Sequence, residues 1–404
     1  MTTQTKTTWR KMKLGEVLSV SGGGTPSTHN SDYWHGEIPW LTPAEVSGFS
    51  SRFIDKTGRN ISKQGLKHSS AKLMPEDSLL LTSRATIGDV VINKVPMATN
   101  QGFINIEPSS EVDQMFLFYW LKRNHDYFNQ IAVGSTFPEL IKSVFKEIEI
   151  ELPSLTDQKR IANILSAFDD KIELNNKISQ TLEQMAQAIF KEWFVNFKFP
   201  GHEKVKMVDS ELGKIPEGWE VKSLDEIANF LNGLALQKYR PSNDRDVLPV
   251  IKIREMNNGI DKNTELASSS IDEKYKVKAG DILFSWSGSL ELMRWTERTG
   301  ALNQHLFKVT SENYPNWFFY YWIQRHLSFF RVVASGKATS MGHIQRHHLS
   351  EALVVVPRQE ILDKANDLIS PMFKNILELR MENQKLFALR DLLLPKLMSG
   401  EIKV

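Results

Sequence analysis

Three side chains near the C-terminal end of the sequence have the spacing of a metal site. His343, His347 and Glu351 are four residues apart, so a continuous helix would place them on one face, and histidine and carboxylate are ligands that zinc accepts. A zinc protease helix needs glutamate directly after its first histidine, and residue 344 is isoleucine. We therefore predict that the chain binds no metal, and that these side chains contact phosphate or are simply exposed.

The sequence also lacks the residues that several other kinds of catalytic site require. The chain has no cysteine, which excludes thiolate nucleophiles, disulfides and cysteine zinc sites. No two prolines adjoin, so the Asn/Asp-Pro-Pro-aromatic motif of adenine methyltransferases is missing. Residues 22–27 (GGGTPS) are glycine-rich without the Gly-Lys-Ser/Thr of a phosphate loop, and we expect a mobile turn, with backbone contact to DNA as the alternative. We predict no catalytic residue and no cofactor bound by this chain.

Two stretches are rich in basic side chains and poor in acids. Residues 52–72 contain six Lys or Arg and a single acid, Asp55, while residues 313–350 contain four Lys or Arg, four His and no acid. Such stretches can neutralise DNA phosphates, and a solvated surface is the ordinary alternative. Loops of Gly, Ser and Thr follow nearby, and their N–H and hydroxyl groups can hold phosphate oxygens.

The predicted DNA contacts combine these cations with polar side chains at the ends of strands. Arg84, Gln101, Trp286 and Gln304 are expected near base edges, although a structural hydrogen bond at a strand start explains each Asn-Gln pair equally well. The full predicted set is Lys63, Lys67, His68, Ser83, Arg84, Thr86, Gln101, Gly134, Ser135, Thr136, Ser285, Trp286, Ser287, Gln304, Lys337, Thr339, His343 and Arg346.

The elements that must position these residues occur twice. Trp9 and the Leu-x-Glu-Val that follows it are matched 210 positions later by Trp219 and Leu-x-Glu-Ile, and the Asn-Gln pair that starts at Asn100 returns at Asn303. An ordered series of such matches indicates a tandem duplication. Each copy begins with about 150 residues of short β-branched runs and Gly, Pro and Asn turns, which predicts a compact α+β domain. Each contains one strongly aromatic segment, residues 114–129 and 316–331, predicted as a buried core helix.

Each copy ends in a long amphipathic segment. The first is capped at Thr156 and Asp157 and stops before Pro200, while Pro371 predicts a kink or restart in the second. At 1.5 Å per residue each helix is roughly 50 Å long, so each is the natural partner of the other. Asn175 and Asn383 interrupt the apolar seams, where they either fix the register or face water. The predicted seam residues are Ile161, Leu165, Phe168, Ile172, Leu182, Ile189, Trp193, Leu362, Ile369, Ile376, Leu379, Leu386 and Leu393.

Several sequence segments are similar to those of a known protein family. The sequence resembles the specificity subunits of type I restriction-modification systems over essentially its whole length. The resemblance is carried by residues 38–43 (IPWLTP), 82–88 (TSRATIG), 100–103 (NQGF), 134–136 (GST), 152–162 (LPSLTDQKRIA), 182–187 (LEQMAQ), 191–197 (KEWFVNF), 213–219 (GKIPEGW) and 393–402 (LLPKLMSGEI).

The resemblance implies a fold and a set of partners. It implies two pseudo-symmetric target-recognition domains, each reading one part of a split, asymmetric site on double-stranded DNA. Two long antiparallel conserved helices separate the domains, set the unread spacer and dock two modification subunits that methylate adenines. Restriction subunits join them for ATP-driven translocation and cleavage, so S-adenosylmethionine, ATP and Mg²⁺ are used by the partners. The second copy departs from the pattern because Trp286 stands in its Ser-Arg loop, as two unlike half-sites would require.

The expected domains are residues 1–155 (first recognition domain), 156–198 (first helix), 199–356 (linker and second recognition domain) and 357–404 (second helix and tail). The formal net charge of +2, the lack of a secretory signal and the short apolar runs favour a cytoplasmic protein with no membrane span. Two other classes stay open at this point. A nuclease or methyltransferase with degenerate motifs would catalyse its reaction as an isolated chain. A pure protein scaffold would form no salt-dependent complex with DNA.

Overall fold

The computed structural model describes residues 9–49, 51–134, 136–241, 245–335 and 342–404. It divides into two units. The first comprises Met1–Glu173 and Leu386–Val404, and the second comprises Leu174–Lys385. No helix in the described ranges is both long enough and apolar enough to cross a bilayer.

The first copy is an α+β domain followed by a long helix. Its strands are β1 (Arg10–Lys13), β2 (Leu18–Gly22), β3 (Trp34–Leu41), β4 (Phe53–Ile54), β5 (Asn60–Ile61), β6 (Leu79–Thr82), β7 (Val90–Asn93), β8 (Ala98–Thr99), β9 (Phe103–Pro108) and β10 (Glu149–Leu152). Its helices are α1 (Leu14–Val17), α2 (Pro43–Val46), α3 (Lys63–Lys67), α4 (Gln114–Arg123), α5 (His125–Ile131), α6 (Lys142–Glu147) and α7 (Leu155–Phe190).

The second copy repeats this order after a short hairpin. Its strands are β11 (Met207–Ser210), β12 (Gly213–Pro216), β13 (Glu220–Ser223), β14 (Asn229–Asn232), β15 (Val247–Ile251), β16 (Leu266–Ser268), β17 (Lys276–Val277), β18 (Ile282–Ser285), β19 (Leu292–Arg294), β20 (Gly300–Leu302), β21 (Leu306–Thr310) and β22 (Leu353–Val356). Its helices are α8 (Leu224–Ile227), α9 (Ile253–Asn258), α10 (Asn316–Ser335), α11 (Arg346–Glu351) and α12 (Gln359–Met398).

The two copies share one sheet topology. The strand order β2-β9-β6-β7 of the first copy matches β14-β21-β18-β19 of the second, and in the first copy β4 extends this sheet. A smaller sheet in each copy contains a parallel pair, β3 with β8 and β15 with β20. The first and last strands of each domain also pair, β1 with β10 and β13 with β22. The predicted duplication and the α+β class are therefore confirmed.

The aromatic segments form core helices, as their composition predicts. All six residues from Phe116 to Leu121 are buried in α4, and seven residues from Trp317 to Ile323 are buried in α10. The first segment is broken at Asn124, where α4 ends and α5 begins, whereas α10 continues to Ser335.

The long helices differ from the sequence prediction at their ends. Helix α7 starts at Leu155, one residue before the predicted cap, because the Ser154 hydroxyl accepts the Asp157 N–H at 3.2 Å. A π-helical segment, Lys191–Val195, follows α7 directly. Helix α12 is continuous from Gln359 to Met398, so Pro371 does not end it.

Within each unit the α7 and α12 segments are antiparallel. In the first unit, Leu165 shares a core with Leu397, and further along α7 Asp169 bonds Arg390. In the second unit, Asn175 donates from Nδ2 to Asn383 Oδ1 at 2.8 Å. Every predicted seam residue is buried or half-buried.

The seam asparagines are buried and bonded to each other. Asn175 is fully buried and Asn383 is 6% exposed, and Asn383 in turn donates from Nδ2 to Asn176 Oδ1 at 2.8 Å. Sliding one helix by a turn would leave these amides without partners in an apolar seam, so the pair favours one register.

Candidate nucleic-acid interface

In the first unit, the loops that carry most of the predicted DNA contacts converge. The backbone N–H of Ser83 donates to the Gly102 carbonyl at 2.8 Å, and the N–H of Leu140 donates to the Ser83 carbonyl at 2.9 Å. These bonds join the loop after β6 to the turn before β9 and to the loop before α6. The first loop cluster is defined as residues 23–27, 83–88, 100–102, 133, 134 and 136–140.

The glycine-rich turn of this cluster is closely packed. A Cβ on Gly23 would lie 2.1 Å from the Asn100 carbonyl oxygen, and a Cβ on Gly24 would lie 2.3 Å from the Ser70 hydroxyl. The following hydroxyl, Thr25 Oγ1, donates to Gln101 Oε1 at 2.6 Å. The glycines thus allow the turn to approach its neighbours, and Gln101, which is exposed, is held in place by Thr25.

Arg84 lies at the centre of the first loop cluster. Its side chain is 48% exposed, and its guanidinium bonds the Glu139 carboxylate at 2.8 Å, while the two backbones form an antiparallel bridge. Ala85 next to it has φ of +63°, in the left-handed region that non-glycine residues seldom adopt. The ion pair holds a positive donor at an exposed loop tip, which is the arrangement needed to reach a guanine edge or a phosphate.

The loop between α5 and α6 presents an aromatic side chain that sequence reasoning missed. Val133 and Glu139 exchange two backbone hydrogen bonds of 2.9 Å, which closes the loop. Phe137 lies at its tip with 87% of its surface exposed, followed by Pro138. A phenylalanine inside a Gly/Ser/Thr loop is a visible sequence signal, because loop tips are normally polar. Gly134 and Thr136 of this loop are also exposed, and Ser135 lies outside the described residues.

The second unit has an equivalent set of loops with different side chains. The second loop cluster is defined as residues 232–234, 286–288, 303–305 and 342–344. Backbone bonds join them, from the Ile344 N–H to the Trp286 carbonyl at 2.9 Å and from the Gln304 N–H to the Leu234 carbonyl at 2.9 Å. Ser287 forms the backbone bridge with His343 that Arg84 forms with Glu139 in the first cluster.

Trp286 is clamped in the second loop cluster. Its indole Nε1 donates to Asn232 Oδ1 at 2.9 Å and to the Gln304 carbonyl at 3.0 Å, and the ring is half-buried. The Ser287 hydroxyl lies 3.0 Å from His305 Nδ1. The cluster thus presents a fixed indole, an imidazole and the Gln304 amide, without the arginine of the first cluster.

Several predicted DNA contacts are buried instead. Ser83 is 2% exposed, Ser285 is fully buried and Ser287 is 6% exposed. The Ser285 hydroxyl donates to the Ser289 carbonyl at 2.7 Å and accepts the Glu291 N–H at 2.7 Å. These hydroxyls shape their loops. Thr86 is half-buried.

Other predicted contacts remain exposed. Lys63 and Lys67 extend from α3, and His68 after them stacks on Tyr33 with ring centroids 5.6 Å apart. Arg346 is exposed and donates to the Phe230 carbonyl at 3.3 Å. Lys337 and Thr339 lie outside the described residues.

One cation of the first basic stretch is not available to DNA. Arg52 is 5% exposed, and its guanidinium donates to Glu173 Oε1 at 3.1 Å and to Asp170. The two carboxylates raise the pKa of Arg52 above its ordinary value, against the opposing effect of burial. This arginine therefore fastens the first domain to α7.

The suspected metal residues do not form the predicted line on one helix. His343 lies outside α11, while His347, His348 and Glu351 bring one potential ligand atom each within 4.8 Å of one another. His348 already accepts the Gln345 N–H through Nδ1 at 2.9 Å, which leaves only Nε2 for a metal. The expectation that the chain binds no metal stays a prediction.

Comparisons with known proteins agree on one family. The family described as type I restriction modification DNA specificity domain matches twice, at residues 6–184 and 216–385. The MjaIX type I restriction enzyme specificity subunit of Methanocaldococcus jannaschii is 34% identical, covering 98% of this chain and 94% of that protein. The HindI specificity subunit of Haemophilus influenzae is 25% identical, covering 74% of this chain and 80% of that protein. A crystal structure of a type I S subunit from M. genitalium has the same fold, with a TM-score of 0.60 at 17% identity over 98% of each chain.

Proposed function

Because this chain belongs to the type I restriction-modification DNA specificity family, we propose that it selects the DNA target of a type I restriction-modification complex without catalysing a reaction itself. Each recognition domain reads one half of a bipartite, asymmetric site on double-stranded DNA. The chain binds no cofactor, and S-adenosylmethionine, ATP and Mg²⁺ are used by partner subunits. The protein acts in the cytoplasm, where its DNA is.

One observation carries this proposal. The two loop clusters have the same backbone frame, but the bridge between Arg84 and Glu139 in the first is replaced by one between Ser287 and His343 in the second. Arginine bonds the two acceptors of guanine, whereas the second cluster presents His305, Gln304 and Trp286, which offer other donor patterns. Two domains with the same loop backbone but different side chains at the loop ends are suited to read two different DNA sequences.

Arg84 provides the test of the reading role. Replacing Arg84 with Ala should relax discrimination at one or two base pairs of a single half-site, by about 1 to 3 kcal/mol for each bidentate hydrogen-bond pair to a base. The matched control is Arg10→Ala, because Arg10 forms an exposed ion pair with Glu111 at the same 2.8 Å distance outside the loop cluster. Binding of the assembled complex to a library of variant duplexes measures the result. Equal decreases in affinity on every duplex would contradict base reading by Arg84.

The paired helices set the number of unread base pairs. The buried bond between Asn175 and Asn383 supports this role, because a ruler must keep one register. Inserting one heptad into each helix adds roughly 10 Å and should lengthen the preferred spacer by about three base pairs. An unchanged spacer in the methylated sites of such a variant would contradict the assignment.

The outer face of α7 docks the two modification subunits, and restriction subunits join that complex. Leu174, Ile178 and Met185 are 52%, 37% and 47% exposed and lie within about 40° of one another around the helix axis. An apolar stripe of this kind on a long helix is typical of a partner surface.

The docking assignment is tested by making the stripe polar. Changing Leu174, Ile178 and Met185 together to Gln should abolish copurification with the modification subunits. Val332→Gln is the control, because Val332 is 69% exposed on α10 and lies outside the stripe. Normal assembly of the triple variant would show that the partners bind elsewhere.

A further inference from the structure

The first unit contains a cavity of about 690 Å³, and one cation of the first basic stretch, Arg59, lines it. It lies between the segment that leads into β3 and the turn before β5, and its walls include His29, His35, Thr57, Arg59 and Asn60. No acidic residue is among those that line it in the described part of the chain. The lining groups are a permanent cation and neutral side chains that can donate hydrogen bonds, which suits an anion.

Arg59 is held in the cavity by aromatic rings. Its guanidinium carbon lies 3.9 Å from the centroid of the Trp34 ring and 5.3 Å from that of Trp40. Both indoles are nearly buried, and their Nε1 groups donate to the carbonyls of Ser27 at 3.1 Å and Gly24 at 2.9 Å. No ion pair to Arg59 is present among the described residues. Stacking thus orients the guanidinium while leaving its N–H edge without a carboxylate partner.

The strand beside Arg59 is distorted in a way that shapes the cavity. The register of β3 with β5 shifts between Trp34 and Ile38, and His35 in this bulge has φ of +58°. Bulges redirect side chains and are frequent next to binding sites. The distortion makes His35 and Arg59 walls of the same cavity.

The second copy has an acid where the first has Arg59. The Trp40 N–H donates to the Arg59 carbonyl at 3.0 Å, and the Val250 N–H donates to the Glu265 carbonyl at 2.8 Å, so the two positions are equivalent. Glu265 is paired with Lys252 at 2.5 Å. A carboxylate at this position repels an anion, so the cationic site belongs to the first domain alone.

We propose that this cavity binds one phosphate group of the DNA backbone next to the half-site read by the first domain. Arg59 bonds the phosphate oxygens through its free N–H edge, and the histidines and the Thr28 and Ser31 hydroxyls of the cavity add further donors. The proposal rests on the DNA-reading function, and it adds a positioning contact that carries no sequence information.

Arg59→Ala tests the site in the complete complex with modification subunits. Affinity should fall about tenfold on target and unrelated duplexes alike, and the slope of log affinity against log salt should decrease by about one phosphate. Single methylphosphonate substitutions along the duplex should reveal one position that weakens wild-type binding and has no effect on the variant. The proposal would be overturned if Arg59→Ala bound DNA with the affinity, the salt dependence and the methylphosphonate pattern of the wild-type complex.

Two control variants distinguish the loss of this site from the loss of a positive charge elsewhere. Lys11→Ala removes the same charge from an exposed position on β1 and should keep every methylphosphonate effect. Arg59→Lys retains the charge and should preserve the salt slope while reducing the affinity in part. If deoxyadenosine monophosphate protects Arg59 from modification by phenylglyoxal but the DNA results are unchanged, the cavity is a nucleotide site, and the DNA assignment is wrong. A wild-type complex that does not prefer its target would instead contradict the proposed function.

Discussion

The two units fasten their recognition domains to the long helices by different chemistry at equivalent positions. In the first, Tyr119 of α4 donates its hydroxyl to Asp169 of α7 at 2.7 Å, and Arg390 bonds the same carboxylate at 2.5 Å. In the second, Tyr321 of α10 faces the ring of Phe373 of α12, with centroids 6.0 Å apart. An ionic anchor in one copy thus corresponds to an aromatic anchor in the other.

The aromatic anchor also holds a buried arginine. Arg294 lies 3.8 Å from the centroid of the Phe373 ring and is 7% exposed, with no ion pair among the described residues. Burial lowers the pKa of Arg294 to about 10, and it raises the pKa of Tyr320 beside it to about 12. The duplicated fold thus keeps the same positions in contact in both copies, while the side chains that form each contact differ.

The largest expected effect comes from Trp317 of α10, one helical turn before Tyr321 of the aromatic anchor. Trp317 is 1% exposed and donates from Nε1 to Asn366 at 2.9 Å, so Trp317→Ala should destabilise the second unit by about 3 to 5 kcal/mol. The equivalent residue of the first copy, Met115, is half-buried, and Met115→Ala should cost about 1 to 2 kcal/mol. Hydrogen exchange in increasing urea, monitored separately in each unit, measures the loss of stability in both variants. Equal destabilisation of the two units would show that the contacts of Trp317 and Met115 do not differ in strength.

The ionic anchor should respond to the removal of one charge. Asp169→Asn leaves Arg390, which is 12% exposed, with only the exposed carboxylate of Asp391, and should destabilise the first unit by about 3 kcal/mol. Adding Arg390→Met should recover part of this stability, because the buried charge is then removed. A double variant that is as unstable as the sum of the single variants would show that the two side chains act independently.

The two loop clusters should differ in whether an exposed aromatic ring stacks on a DNA base. Phe137→Ala removes the exposed ring of the first loop cluster and should weaken binding to the target duplex by about 1 to 2 kcal/mol if the ring stacks on a base. Phe137→Trp should retain binding. Phe329→Ala, a similar change on α10 where Phe329 is 42% exposed, should have little effect. Fluorescence titration with 2-aminopurine in the half-site detects the contact, and an unchanged signal in Phe137→Ala would exclude it.

The smallest expected effect is a pH dependence confined to the second unit. Burial lowers the pKa of His326, which contacts the Leu353 carbonyl at 3.0 Å. The unfolded chain therefore binds a proton more readily than the folded one, so stability should fall as pH drops below about 6.5. His326→Asn copies Asn124 of the first copy and should reduce this slope. Melting curves from pH 5 to 8 make the comparison, and identical slopes would contradict it.

Much of the fold follows from sequence patterns that repeat. The shared displacement of Trp9 and Trp219 predicts the duplication, and the buried aromatic run in α10 predicts a core helix, because both depend on local order along the chain. The family resemblance is confirmed by matches to both halves. The bounds of the helices shift by a few residues because hydroxyl caps such as Ser154 compete with the predicted ones.

The candidate site is less predictable from sequence. Arg52 looks like one more cation in a basic stretch, yet it is buried against two carboxylates about 120 positions away. Ser285 looks like an exposed loop hydroxyl, yet it caps its own loop. Neither outcome has a local signal, because each depends on which distant chain segment the side chain meets.

Each recognition domain is proposed to read one half of the DNA target independently of the other. The most direct measurement maps the methylated sites made by the complete complex before and after residues 9–152 are exchanged for the same segment of a relative. One half of the target should change, while the other half and the spacer length should stay the same. A change in both halves, or in the spacer alone, would contradict it.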